Sequence, residues 1–75
     1  MQVTVRYYAM LKEQRGLERE TVEVPSGTTA GALYEALFPP PRVPVQAAVA
    51  HQLVPLDTVL DYGAEVVFLP PVGGG

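Results

Sequence analysis

The 75-residue chain contains no cysteine and no tryptophan. Without thiols it cannot form a disulfide bond, a thiolate metal site or a cysteine nucleophile. No apolar run approaches the ~18 residues that a transmembrane helix needs, and no basic segment followed by an apolar one opens the chain. We therefore expect a soluble, cytoplasmic protein that holds no metal and does not enter a membrane.

Basic residues are also few, with five lysines and arginines against eight aspartates and glutamates, which gives a formal net charge of −3. Lys/Arg patches supply most of the affinity for nucleic acid, so a nucleic-acid partner is not expected. The hydrophobic fraction of 48% is ample for a folded globule. At this length we expect one small domain over residues 1–75, with residues 70–75 as an extended tail.

Two segments near the N-terminus predict a pair of strands with a helical connection. Residues 1–8 and 20–24 alternate between apolar and polar side chains. Between them, residues 9–15 are good helix formers, and Gly16 is a suitable residue to end a short helix. The side chains expected to face the core from the first strand are Val3, Val5 and Tyr7.

The rest of the chain predicts one longer helix and three more strands. The helix begins at Thr28 or Thr29 and ends before the prolines at 39–41. Strands are predicted at 46–50, 53–54 and 65–69, with a tight turn at His51–Gln52 between the first two. Tyr34 is expected on the helix surface or half-buried, Leu56, Val59 and Leu60 in a loop with a few buried anchors, and Glu18, Glu20 and Glu23 as exposed strand residues.

This element order predicts an α+β fold, with one main helix across a mixed sheet of four to five strands. The nearly continuous apolar run at 66–69 suits a central strand, parallel to the first. If Val66 and Phe68 face the core, Val67 and Leu69 point outward. With Tyr8 and Leu53 they would form an apolar patch able to dock a partner.

The end of the sequence is unusually slim. Pro70 and Pro71 fix the direction in which the chain leaves the last strand, and Val72 separates them from three glycines, Gly73, Gly74 and Gly75. The six residues from Pro70 would extend ~20 Å at ~3.3–3.6 Å per residue. The glycines place no side-chain bulk at the last carbonyl carbon, so the tail is predicted to be a flexible arm that enters a narrow site.

Two segments identify a family resemblance. YYAMLKEQRG at 7–16 and GAEVVFLPPVGGG at 63–75 resemble the small subunit of molybdopterin synthase, a ubiquitin-like β-grasp protein. The ending is the specific part of the likeness, and the middle of the chain matches only in its pattern. Two residues depart from the family: Ala50 stands where asparagine is usual after the Ala-Val strand, and Ala64 replaces an aspartate.

The resemblance implies a sulfur carrier, a non-catalytic subunit whose partner holds most of the active site. An activating enzyme similar to ubiquitin-activating enzymes would adenylate the Gly75 carboxylate with ATP, and a sulfur donor protein would convert it to a thiocarboxylate. The tail would then enter the large subunit, in a heterotetramer, and donate sulfur to a cyclic pyranopterin phosphate. The resemblance supports Tyr8, Leu53 and Leu69 as partner-binding positions. Val67 is added because strand alternation predicts that its side chain points outward.

The residues agree with part of this chemistry. A terminal carboxyl has a pKa of roughly 3.3–3.7 and is ionised at pH 7, so it needs external activation before it can accept sulfur. The chain has no Gly-rich phosphate loop of its own, and no tightly bound cofactor is expected. Because it has no cysteine, any sulfur it carries must be on Gly75.

Other functions fit parts of the sequence. A carrier for thiamin thiazole synthesis or tRNA thiolation could share this fold and the Val-Gly-Gly-Gly ending. A ubiquitin-like modifier joined to lysines through Gly75 and an interaction module with an inert tail are further alternatives. His51, in a predicted turn without a nucleophile beside it, is more typical of a surface histidine than of a catalytic one.

Overall fold

The computed structural model describes residues 1–70 and consists of a five-stranded sheet with two short helices. The elements in chain order are β1 (Gln2–Tyr7), α1 (Ala9–Arg15), β2 (Arg19–Glu23), α2 (Ala30–Leu37), β3 (Gln46–Val49), β4 (Gln52–Val54) and β5 (Glu65–Leu69). The strand order is β2-β1-β5-β3-β4. Strands β1 and β5 are parallel at the centre, and the other pairs are antiparallel. The predicted α+β fold with a mixed sheet is therefore confirmed.

One face of the sheet is the core face. Alternate side chains of β1 and β5 are almost fully buried there, as their period-two pattern predicts. The buried strand residues are Val3, Val5, Tyr7, Ala47, Val66 and Phe68. Helix α2 covers this face with Ala30, Leu33 and Tyr34, and helix α1 contributes Leu11. The other face of the central strands is left uncovered by either helix.

The helix ends follow local sequence signals. Gly16 adopts a left-handed conformation with φ 76°, and its N–H donates to the Lys12 carbonyl to close α1. The Thr29 hydroxyl accepts a hydrogen bond from the Ala32 N–H at 3.1 Å and begins α2. Gly31 lets the loop after β4 approach α2, because a Cβ there would lie 3.1 Å from the Leu56 carbonyl oxygen.

The turn between β3 and β4 lies one residue earlier than expected. It is made by Ala50 and His51, so Gln52 belongs to β4 and not to the turn. Both turn residues have positive φ, 52° and 65°. This is the pattern of a type I′ hairpin turn, which asparagine and glycine favour. The prediction failed because alanine carries no turn signal.

Tyr34 was expected at least half exposed, and the structure corrects this, since only 6% of its surface is accessible. Its ring lies 5.3 Å from that of Phe68, and its hydroxyl donates a 2.6 Å hydrogen bond to the Val43 carbonyl. Burial raises the pKa of Tyr34. In the loop after β4, Leu60 is a buried anchor, whereas Leu56 and Val59 are exposed.

Glu20 was expected to be an exposed strand carboxylate, but its side chain is largely buried and hydrogen-bonded. Its Oε2 atom accepts hydrogen bonds from the Tyr7 hydroxyl at 2.6 Å and from Arg15 Nη2 at 2.8 Å and Nε at 3.0 Å. Arg15 Nη1 also donates to the Leu37 carbonyl at 3.2 Å. Burial and the bond to Glu20 raise the pKa of Tyr7. The network joins β1, α1, β2 and the end of α2.

Candidate functional site

The uncovered face of the sheet carries an open hollow of about 580 Å³, which we call the apolar depression. It is lined by Tyr8, Gln46, Ala48, His51, Leu53, Val67 and Leu69. All four positions predicted to bind a partner, Tyr8, Leu53, Val67 and Leu69, therefore lie together on one surface. Their role in binding stays a prediction.

Strand register explains why these side chains meet. In β5, Val67 is opposite Ala48 of β3, and Ala48 is in turn opposite Leu53 of β4. Leu69 is opposite Gln46 in the same antiparallel pair. Directly opposite residues on neighbouring strands point to the same face of a sheet. The floor of the depression is thus set by backbone pairing.

The apolar depression is only partly closed to water. Tyr8, which follows β1 directly, is 47% exposed, and Leu53 is 61% exposed. Large apolar side chains exposed next to one another are typical of protein interaction surfaces. Ala48 lies between Leu53 and Val67, and its methyl group fills little of the space between them.

The described chain leaves the sheet beside this depression. Leu69 is both the last residue of β5 and part of the lining, and Pro70 follows it immediately. The predicted tail residues Pro71, Val72, Gly73, Gly74 and Gly75 lie outside the described residues. A partner that covers the apolar depression would therefore contact the protein next to the point from which the tail departs.

A second hollow of about 480 Å³ adjoins the first. We call it the polar depression; its lining consists of Val49, Ala50, His51, Asp61, Tyr62, Gly63, Ala64, Glu65 and Val67. His51 and Val67 border both hollows. Glu65 also lies 4.0 Å from Arg6 and 3.8 Å from Arg19, so its charge is partly balanced.

Sequence reasoning missed three residues of the apolar depression. Gln46 and Ala48 share the outward parity of β3 once Ala47 is assigned to the core, so alternation could have identified them. His51 was assigned to a turn, which is correct. Its place beside Leu53 could not be foreseen because it depends on the geometry of that turn.

Other kinds of site find little support in the part of the chain that the structure describes. Residues 1–70 contain no group of three or more histidine, aspartate or glutamate side chains placed to hold a metal ion. Among the same residues, neither helix is long and apolar enough to cross a membrane.

Known proteins resemble this chain over nearly its whole length. Residues 5–75 match the ThiS family. The molybdopterin synthase sulfur carrier subunit of Mycobacterium tuberculosis is 40% identical over 82 aligned positions, which cover all of this chain and 99% of that protein.

Two solved structures extend the comparison to three dimensions. A putative molybdopterin converting factor, subunit 1, from Pyrococcus furiosus superimposes with a TM-score of 0.82 at 27% identity, covering 96% of this chain and 99% of that one. A chain from the complex of subunits 1 and 2 of molybdopterin-converting factor from Helicobacter pylori matches with a TM-score of 0.62 at 28% identity, and both chains are covered completely.

Proposed function

The chain belongs to the ThiS family, and on that premise we propose that it is the sulfur carrier subunit of a molybdopterin synthase. The observation that carries the proposal is the apolar depression, which is lined by Tyr8, Leu53 and Val67. Leu69 also lines it and is the last residue of β5, so the docking surface lies directly before the start of the tail at Pro70. The full-length likeness to the mycobacterial carrier subunit supports the same assignment.

The proposed partner at the apolar depression is the large subunit of the synthase. Support comes from the Helicobacter relative, which is found in a complex of subunits 1 and 2. Docking would bury the exposed side chains of Tyr8 and Leu53. Full burial of a leucine side chain contributes roughly 1.5–3 kcal/mol. Docking at this face would also bring the tail to the partner, since Pro70 follows the lining residue Leu69.

In the proposed reaction the acceptor of sulfur is the carboxylate of Gly75. The carboxylate attacks the α-phosphate of ATP on the activating enzyme, and pyrophosphate leaves. Hydrosulfide from the sulfur source then attacks the acyl-adenylate carbon. A C–S bond forms, the C–O bond to AMP breaks and AMP leaves, and loss of the S–H proton gives the thiocarboxylate. The large subunit would bind the tail and pass its sulfur to the cyclic pyranopterin phosphate. The chain contributes the acyl group and its delivery, while its partners bind the nucleotide and the pterin.

The carrier chemistry can be tested by intact mass spectrometry after incubation with the cognate activating enzyme, ATP and a sulfur source. Replacement of one oxygen by sulfur adds ~16 Da, as attack on an activated carbonyl requires. A chain whose Gly75 carboxyl group is amidated is the control and should gain nothing, because it has no carboxylate to attack ATP. If the unmodified chain also keeps its mass, the carrier proposal is wrong.

The choice of partner needs a second experiment, in which binding to the purified large subunit is measured by calorimetry. Leu53→Asp places a charge in the apolar depression and should weaken binding at least ~10-fold, the equivalent of about 1.4 kcal/mol. Val59→Asp is the matched control, because Val59 is similarly exposed, at 57% against 61%, and lies outside that lining. A thiocarboxylated protein that does not bind the large subunit would instead favour the other carrier functions.

A further inference from the structure

The turn between β3 and β4 has a backbone conformation that is unfavourable for the two residues that form it. Ala50 and His51 both have positive φ, where side chains with a Cβ are crowded. Asparagine followed by glycine is the usual solution for such a turn. Conformations of this kind often persist where a particular side chain is needed, so the placement of the His51 side chain deserves an explanation.

His51 stands at the boundary between the two hollows. It lines the apolar depression beside Leu53 and Val67, and it lines the polar depression with Asp61 and Glu65. The residue is exposed. Within residues 1–70 its imidazole takes part in none of the hydrogen bonds. A neutral imidazole offers one donor and one acceptor, so both are open to another molecule.

Protein interfaces commonly combine an apolar centre with a polar rim. The side chains of Leu53 and Val67 would supply the centre, and His51 lies directly at its edge. The carboxylate of Asp61 borders the same polar depression, and its charge favours a hydrogen-bond donor from the partner over an anionic group. Glu65 adds less to this effect, because Arg6 and Arg19 lie within 4.0 Å of its carboxylate.

We propose that His51 is a partner-binding contact, whose imidazole nitrogen accepts a hydrogen bond from a donor group of the large subunit seated on the apolar depression. The inference rests on the proposed function, because it takes the large subunit as the occupant. The pairing of β3 with β4 holds His51 at the rim, and His51 takes no part in the sulfur chemistry.

The test compares two glycine substitutions in the full chain. His51→Gly and Ala50→Gly each remove a Cβ that is crowded at a positive φ, and the greater unfolded-state entropy of glycine offsets part of that gain. Both should therefore raise the thermal unfolding midpoint by at most about 4–8 °C. Only His51→Gly removes the imidazole. We expect it to weaken binding of the purified large subunit about 10-fold, while Ala50→Gly binds as the unchanged protein does.

A third variant separates the hydrogen bond from the shape of the turn. His51→Asn keeps a side-chain acceptor, and asparagine tolerates the left-handed conformation. It should recover a measurable part of the binding lost with glycine. If it binds no better than His51→Gly, or if Ala50→Gly loses as much as His51→Gly, the assigned hydrogen bond is wrong.

The Leu53→Asp variant distinguishes this inference from the function on which it rests. Normal binding by His51→Gly together with weak binding by Leu53→Asp would overturn the role of His51 and leave the docking face in place. Normal binding by both variants would overturn the docking face, and the role of His51 with it.

Discussion

Replacement of Glu20 by alanine should destabilise the fold much more than the loss of an ordinary strand carboxylate. Three hydrogen bonds converge on Glu20, one from the Tyr7 hydroxyl and two from the Arg15 guanidinium. Tyr7 is only 1% exposed, so its hydroxyl has little access to water. Arginine has no acceptor and cannot replace the lost partner of this hydroxyl.

The size of the effect follows from two contributions. A buried donor left without an acceptor costs about 1–3 kcal/mol. The ion pair with Arg15 adds about 1 kcal/mol, the upper end for surface pairs, since the side chains of Arg15 and Glu20 are only 30% and 19% exposed. The sum is roughly 3 kcal/mol, against a total stability of roughly 4–11 kcal/mol for a chain of this length.

Urea unfolding followed by circular dichroism measures this loss, and Tyr7→Phe completes a double-mutant cycle. Alone, Tyr7→Phe should cost about 1 kcal/mol, the usual contribution of one hydrogen bond. In the Glu20→Ala background it should cost nothing or restore stability, because it removes the unpaired hydroxyl. Equal costs in both backgrounds would refute the assigned coupling.

Glu18→Ala is the matched control for the lost charge. Glu18 lies in the same stretch of chain and pairs with Lys12 at 3.2 Å, but both side chains are more than half exposed. Exposed pairs of this kind contribute about 0–1 kcal/mol. A loss as large as that of Glu20→Ala would mean that net charge, and not the buried network, determines the effect.

Two further predictions concern alkaline stability and a helix cap. Burial and the Glu20 hydrogen bond raise the pKa of Tyr7, so above pH ~10 the unfolded chain loses this proton while the folded chain keeps it, and stability falls. With Tyr7→Phe, the free energy of unfolding should fall less steeply with pH, by up to about 1.4 kcal/mol per pH unit, in urea titrations between pH 10 and 11. Equal slopes for this variant and the unchanged protein would contradict this prediction. Thr29→Ala should lower the free energy of unfolding by about 1 kcal/mol in the same assay, because the Ala32 N–H loses its acceptor. Thr29→Ser keeps a hydroxyl and should retain most of this stability. Equal losses for the two variants would argue against the cap.

Strong local patterns made the sheet predictable from the sequence. Alternation placed Val5 in the core, and the apolar run containing Val67 identified a central strand. Residues whose environment depends on distant segments were not predictable. Tyr34 is buried because its ring packs against those of Phe38 and Phe68, and its hydroxyl donates to the Val43 carbonyl in the loop after α2. Glu20 is half-buried because Arg15 approaches it from a helix, and period-two alternation contains no information about that helix.

Strand β5 contributes both to the stability of the fold and to the proposed docking surface. Because the strand is pleated, different residues serve each of the two. Val66 and Phe68 are fully buried in the core, whereas Val67 and Leu69 line the apolar depression on the other face. Successive side chains of a strand point to opposite faces, so changes at alternate positions should affect different properties. The core residues hold β5 between β1 and β3, and this placement fixes where the chain leaves the sheet. A partner bound to the outward residues would therefore contact the protein next to Pro70, the last described residue.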